Sequence, residues 1–120
     1  METKEIAKKL ADYCRKGEWS AAQNELYAEN AKSIEPYSTP DFPETETVGL
    51  KAIKAKGEKF NSMVEAMHSL TVSEPLIAGS TIAFVLNMDV TMKGKGRMGM
   101  PELCVYQVKD GKIISEEFFV

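Results

Sequence analysis

The sequence has little of what most metal, redox and membrane proteins need. It contains 1 His and 2 Cys, and Cys14 and Cys104 lie far apart, without CxxC or other metal-type spacing. No segment approaches the roughly 18 apolar residues of a membrane span, and the first residues lack the apolar core of a secretory leader. We therefore expect a cytoplasmic protein with reduced thiols, no metal site and no membrane partner.

Basic clusters are equally scarce. The net charge is -3, and the longest basic run is the short Lys93–Arg97 turn, which argues against nucleic acid as a partner. No glycine-rich phosphate loop or nucleotide fingerprint occurs, so we expect no cofactor. What remains is an ordinary globular composition, with 43% hydrophobic and 28% charged residues. This predicts one domain over residues 1–120.

Three segments have helical spacing. The first carries an apolar stripe through Ile6, Leu10, Tyr13 and Cys14, and a short second helix follows to about residue 27. In the third, apolar residues recur at steps of three and four over residues 50–67. Gly57 lies on its apolar side, where it either lets a neighbouring element approach closely or is simply tolerated.

A short strand is expected near residues 30–35, followed by a loop over residues 36–47. This loop contains three prolines with several Ser, Thr and acidic residues. Loops of this length in a compact domain are usually lids, binding loops or mobile segments. We place it over the mouth of a pocket, and a disordered connector is the alternative.

The second half alternates with the period of β-strands. Residues 81–92 have one fully apolar face, and His68, Leu70 and Val72 share a face of the preceding strand. The strand over residues 98–108 has one face that is apolar except for Glu102 and Tyr106. A carboxylate in such a stripe is costly unless it is paired, protonated or facing a wet cavity.

The last turn decides which acid joins Glu102. A two-residue Asp110-Gly111 turn would place Glu117 opposite Cys104, whereas a three-residue bulged turn would place Glu116 there. We favour the second register. The same type of bulged turn in the preceding hairpin would place Met88 opposite Glu102, and the apolar faces of the neighbouring strands would then lie on the same side of the sheet.

Two neighbouring carboxylates in an apolar setting form either an acid–base site or a structural pair satisfied by the Tyr106 hydroxyl and a buried water. His68 joins them if its strand keeps its alternation.

The chain resembles the NTF2-like superfamily, in its SnoaL-like and ketosteroid-isomerase-like branch. The resemblance covers nearly the whole chain and rests on the order of three motifs. They are Lys16-Gly17-Glu18-Trp19, then Tyr27-Ala28-Glu29-Asn30-Ala31 leading to Ile34-Glu35-Pro36, and finally Tyr106-Gln107-Val108-Lys109-Asp110-Gly111-Lys112-Ile113. It implies an α+β cone in which three helices pack on a strongly curved, mostly antiparallel sheet that encloses a pocket.

The isomerase members also imply roles for residues. They resemble this chain at Glu35-Pro36, where they carry a proton-shuttling carboxylate, and at Glu102, where they carry a protonated acid that binds an oxyanion. Their oxyanion tyrosine on the first helix corresponds to Leu10 here. Tyr13, one turn later, is the expected substitute, although its direction would differ.

Three functions follow as hypotheses. The first is cofactor-free acid–base chemistry, an isomerisation or cyclisation of a small apolar carbonyl compound, with Glu35, Glu102 and His68 as candidate catalytic residues. The second is ligand binding without catalysis, and the third is a protein-interaction module. We expect the outer sheet face, with Ala83, Val85, Leu103 and Val105, to form a homodimer. The candidate ligand-binding residues are Tyr13, Trp19, Tyr37, Phe60, Met63, Met88, Met100, Tyr106 and Glu116.

Overall fold

The computed structural model describes residues 1–120 as three helices and one seven-stranded sheet. In chain order the elements are α1 (Thr3–Arg15), α2 (Trp19–Leu26), β1 (Tyr27–Ile34), β2 (Glu46–Val48), α3 (Leu50–Met63), β3 (Val64–Val72), β4 (Leu76–Ala78), β5 (Thr81–Met92), β6 (Gly96–Lys109) and β7 (Lys112–Phe119). None of the helices has the length and apolar character needed to cross a membrane.

The strands run in the order β2-β1-β7-β6-β5-β3, and β4 pairs with the start of β5. Every pairing is antiparallel except that of β1 with β7. The sheet is curved and does not close on itself. The predicted α+β class, with three helices on a mostly antiparallel curved sheet, is confirmed.

The core forms where the stripe of α1 meets the apolar face of β5. Ile6 and Leu10 are fully buried or nearly so, and so are Ile82, Phe84 and Val90. Burial alternates strictly at the start of β5 because successive side chains of a strand point to opposite faces. The helices therefore cover the inner face of the sheet, while its other face stays exposed.

The third helix ends earlier than its apolar spacing predicts. It stops at Met63, and Val64 begins β3 by pairing with Met92. Strand pairing thus overrides the helical spacing of Val64 and Met67. The interpretation of Gly57 as a point of close approach is also wrong, because a Cβ atom there would meet nothing within 4 Å.

The predicted registers are wrong in detail, although they place the acids on the correct face. In the β5–β6 hairpin Glu102 lies opposite Leu86, not Met88. This shift of two residues leaves every side chain on its predicted face, because the period of a strand is two.

The β6–β7 turn is the two-residue type, since Lys109 pairs with Lys112 and both Asp110 and Gly111 have positive φ. A bulge between Val108 and Gln107 then changes the register and places Tyr106 opposite Glu116. Glu116 therefore faces the interior, as expected, but through a bulge within the hairpin instead of a three-residue turn.

Candidate functional site

A cavity of about 630 Å³ lies between α3, the loop after β1 and the inner face of β5, β6 and β7. This volume is in the range of small-molecule sites. Most of its lining is apolar, and it includes five methionines together with Trp19 and Phe60. Thioether side chains adapt to irregular shapes and make favourable contacts with aromatic rings. The wall therefore suits an apolar ligand.

Most of the predicted site residues line this cavity. They are Glu35, Glu102 and Glu116 among the acids, with Trp19, Tyr37, Phe60, Met63, Met88, Met100 and Tyr106.

Two predicted residues lie elsewhere. The expectation that His68 joins the acids is wrong, because the β3–β5 register shifts between Met67 and Ser69 and breaks the alternation. The His68 side chain is exposed, and its Nε2 lies 2.7 Å from Oγ1 of Thr91. Tyr13 is absent from the cavity wall too, since its hydroxyl donates a hydrogen bond to the Glu25 carboxylate.

Glu116 is the most deeply placed acid, with 5% of its surface exposed. It accepts hydrogen bonds from the Tyr27 hydroxyl and from Oγ of Ser33, the latter at 2.7 Å. Burial raises the pKa of Glu116, and these two donors oppose the rise. The Glu116 carboxyl is therefore fixed in place by donors from β1.

Lys56 is the main functional candidate that the sequence reasoning missed. Its Nζ lies 2.8 Å from Oε1 of Glu35 and 2.6 Å from Oγ of Ser33. The side chains of this ion pair are only 17% and 27% exposed. The helical spacing in the sequence could have identified Lys56 as a cavity residue. Lys56 lies three residues after Ile53 and four before Phe60, on the inner face of α3.

Glu102 is the one of these three acids with neither an ammonium nor a hydroxyl partner. It forms no ion pair, and its nearest polar side-chain partner is the Cys104 thiol, with Sγ at 3.8 Å from Oε1. Loss of hydration raises the pKa of Glu102 to about 7, and the negative charge of Glu35 adds to the rise. At neutral pH, Glu102 is therefore a mixture of acid and carboxylate.

The two thiols and the Tyr106 hydroxyl of the cavity wall stay neutral. Burial raises the pKa of the Cys14 thiol to about 12 and raises that of the Cys104 thiol as well. Burial also holds the pKa of Tyr106 well above its usual value, and its ring packs against Phe84 with centroids 5.4 Å apart. Both cysteines therefore behave as small hydrophobic residues. No group of three or more His, Cys, Asp or Glu residues is arranged to hold a metal ion.

The loop after β1 borders the cavity. Tyr37 and Phe42 are among its lining residues. Asp41 is joined to Lys95 of the β5–β6 turn by a 2.8 Å ion pair, and the ammonium of Lys59 lies 4.8 Å from the centre of the Phe42 ring. The loop is thus held at the cavity by contacts with both α3 and the β5–β6 turn. Its role as a lid stays a prediction.

The arrangement combines an apolar wall with two acids of different character. Glu35 is paired with an ammonium, whereas Glu102, when protonated, can donate a hydrogen bond to a ligand oxygen. Acid–base chemistry needs such a difference between neighbouring carboxyl groups.

Comparisons with known proteins agree with this fold. The family model described as SnoaL-like domain matches residues 1–120. A crystal structure from Mesorhizobium loti is 30% identical, with full coverage of both chains and a TM-score of 0.91. Its description names a candidate SnoaL-like polyketide cyclase and also a carbohydrate phosphatase.

Two more distant structures share the fold. A Catenulispora acidiphila protein with a ketosteroid isomerase-like fold, solved with trimethylamine, is 16% identical with a TM-score of 0.73 over 97% of this chain and 85% of the other. TerC, co-crystallised with polyporic acid, is 14% identical with a TM-score of 0.77 over 98% and 89%. No curated protein sequence matches the chain.

Proposed function

The chain belongs to the SnoaL-like domain family, and we propose that it binds a small, largely apolar carbonyl compound and moves a proton on it without a cofactor. Enolisation, isomerisation and ring closure all fall within this chemistry. The observation that carries the proposal is the presence of Glu35 and Glu102 in one apolar cavity, the first paired with a cation and the second without one.

In this proposal Glu35 is the base and Glu102 the hydrogen-bond donor. Glu35 takes a proton from the carbon next to the carbonyl group, and protonated Glu102 stabilises the negative charge that develops on the oxygen. Lys56, which is ion-paired with Glu35, holds the base at the cavity wall. Leu10, buried in the wall, leaves the site without a tyrosine donor from α1, and Tyr13 is too firmly engaged with Glu25 to replace it.

Binding without chemistry is the second candidate, because the same acids can anchor polar groups of a ligand. The apolar majority of the lining favours it, since affinity for an apolar molecule requires no proton transfer.

We further propose a homodimer through the outer sheet face. Val85, Leu103 and Phe119 lie side by side on β5, β6 and β7, and each is more than 40% exposed. A contiguous exposed apolar patch of this kind is typical of an interaction surface. The flanking positions Ala83 and Val105 extend the patch along the same strands.

The function is tested with 2-tetralone, an apolar ketone with exchangeable protons next to its carbonyl group. Exchange of these protons in D₂O, followed by proton NMR, should be faster with the protein than with buffer. Replacing the base by an amide, Glu35→Gln, should reduce the protein-dependent rate about 10²–10⁴-fold. Glu29→Gln, which removes a carboxylate from β1 outside the cavity wall, is the matched control.

Each outcome separates the candidates. Binding and exchange that both depend on Glu35 support the catalytic proposal. Binding without exchange supports the ligand-binding function and overturns catalysis on this class of compound. If 2-tetralone perturbs no signal from the cavity, the proposed substrate class is wrong.

A further inference from the structure

The ammonium of Lys56 is an unusual group for this cavity. Its side chain is only 17% exposed, and removing a lysine from water is costly unless its partners are well placed. Lys56 Nζ lies between the Glu35 carboxylate at 2.8 Å and the Ser33 hydroxyl at 2.6 Å. It is also 6.0 Å from the centre of the Phe118 ring.

The contacts of Lys56 continue to the buried acid. Since the ammonium can only donate, the Ser33 hydroxyl accepts a hydrogen bond from Lys56 and donates one to Oε2 of Glu116 at 2.7 Å. Tyr27 donates to the other oxygen of Glu116. One continuous chain of hydrogen bonds therefore connects Glu35, Lys56, Ser33 and Glu116.

We propose that Lys56 is a positioning residue for the three acids of the cavity. It binds two of them, Glu35 directly and Glu116 through Ser33, and leaves Glu102 unbound. It holds Glu35 in the wall through their ion pair and connects Glu116 to the same chain of hydrogen bonds through Ser33. Glu102 is thereby left as the one acid of the three that exchanges its proton without breaking a bond to Lys56 or Ser33. The significance of this inference rests on the proposed function, but its test needs no substrate.

The alternative role of Lys56 is a brace between α3 and β1. A brace whose charge does not act on Glu102 would affect the free energy of unfolding without changing how Glu102 titrates. The charged and titratable groups that act on Glu102 come from several elements, namely Glu35 after β1, Lys56 of α3, Cys104 of β6 and Glu116 of β7. Among these, the positive charge of Lys56 lowers the pKa of Glu102, whereas the charges of Glu35 and Glu116 raise it.

The test compares the carboxyl ¹³C titration of Glu102 in Lys56→Met and Lys51→Met. Lys51 is exposed on the same helix, so the control loses the same charge away from the cavity. We expect Glu102 to titrate roughly one pH unit higher in Lys56→Met than in the control, since one nearby positive charge has been lost. Lys56→Arg keeps the charge and should restore the wild-type titration.

The inference is overturned if Glu102 titrates alike in Lys56→Met and Lys51→Met. Should Lys56→Met fail to fold, Lys56→Gln keeps a donor while removing the charge, and the same comparison applies. A failure of 2-tetralone exchange with the titration shift present refutes the proposed function alone. Exchange without the titration shift refutes only the role assigned to Lys56.

Discussion

Replacing Glu102 with glutamine should stabilise the protein at alkaline pH and leave it unchanged at acid pH. The side chain of Gln resembles protonated Glu in shape and carries no charge, so it removes only the cost of ionising the acid in the cavity. The pKa of Glu102 is raised from its ordinary value of 4.5 to about 7, chiefly by loss of hydration. The contribution of protonated Glu102 to the free energy of unfolding is therefore fully present below pH 4.5 and is lost as the pH rises through 7.

The magnitude follows from this difference. A rise of about 2.5 pH units at 1.36 kcal/mol each corresponds to about 3.4 kcal/mol. Because Glu102 is only partly buried, solvent screens part of this energy, so we expect Glu102→Gln to be about 2–3 kcal/mol more stable than wild type above pH 7. Below pH 4.5 the two proteins should be equally stable.

Urea unfolding followed by the fluorescence of Trp19, the only tryptophan, measures both proteins at a series of pH values. Glu117→Gln is the matched control, because Glu117 is the next acid along the same strand, opposite Val105 and on the outer face. A stability difference that is the same at pH 4.5 and pH 8, or a wild type that is the more stable at pH 8, would refute the reasoning.

Three further predictions concern the cavity, the buried acid and the outer face. Gly57→Ala should raise the free energy of unfolding by about 1 kcal/mol, because alanine favours the helix and its Cβ meets nothing within 4 Å. The larger side chain of Gly57→Leu should occupy the cavity and weaken 2-tetralone binding about tenfold in an NMR titration. Ser33→Ala should lower the free energy of unfolding in urea by about 1.5–3 kcal/mol, because Glu116 loses a donor and Lys56 loses an acceptor, and an unchanged free energy of unfolding would refute the role of Ser33 in holding them. The double variant Val85→Lys and Leu103→Lys should sediment as a monomer, and an unchanged dimer would place the interface elsewhere.

The inward position of Glu102 could be predicted because it follows from strand periodicity, whereas that of Glu116 also depends on the turn and the bulge of the β6–β7 hairpin. Glu102 and Glu116 lie on the inner face even though both hairpin registers differ from the predicted ones. An error of two residues cannot move a side chain to the other face, and the bulge in β6–β7 compensates for the tighter turn. The face of a residue is therefore more predictable than its cross-strand partner.

The missed and misplaced residues depend on contacts that are distant in sequence. His68 leaves the inner face because of a bulge between β3 and β5, and Tyr13 turns to Glu25 on the neighbouring helix. Lys56 acquires its partners Glu35 and Ser33 only through contacts between α3 and the end of β1, which are distant in sequence. Helical spacing placed Lys56 beside the apolar stripe, but only the fold supplied its partners.

The most direct test of the account is the titration of Glu102 in the wild-type protein. Its carboxyl ¹³C signal, assigned by comparison with Glu102→Gln, is followed from about pH 4 to 9. The account predicts a midpoint near 7, because the cavity withdraws the carboxyl from water beside the charge of Glu35. A midpoint near about 4.3, as in a free glutamate, would show that Glu102 is ionised at neutral pH and would contradict its role as a hydrogen-bond donor.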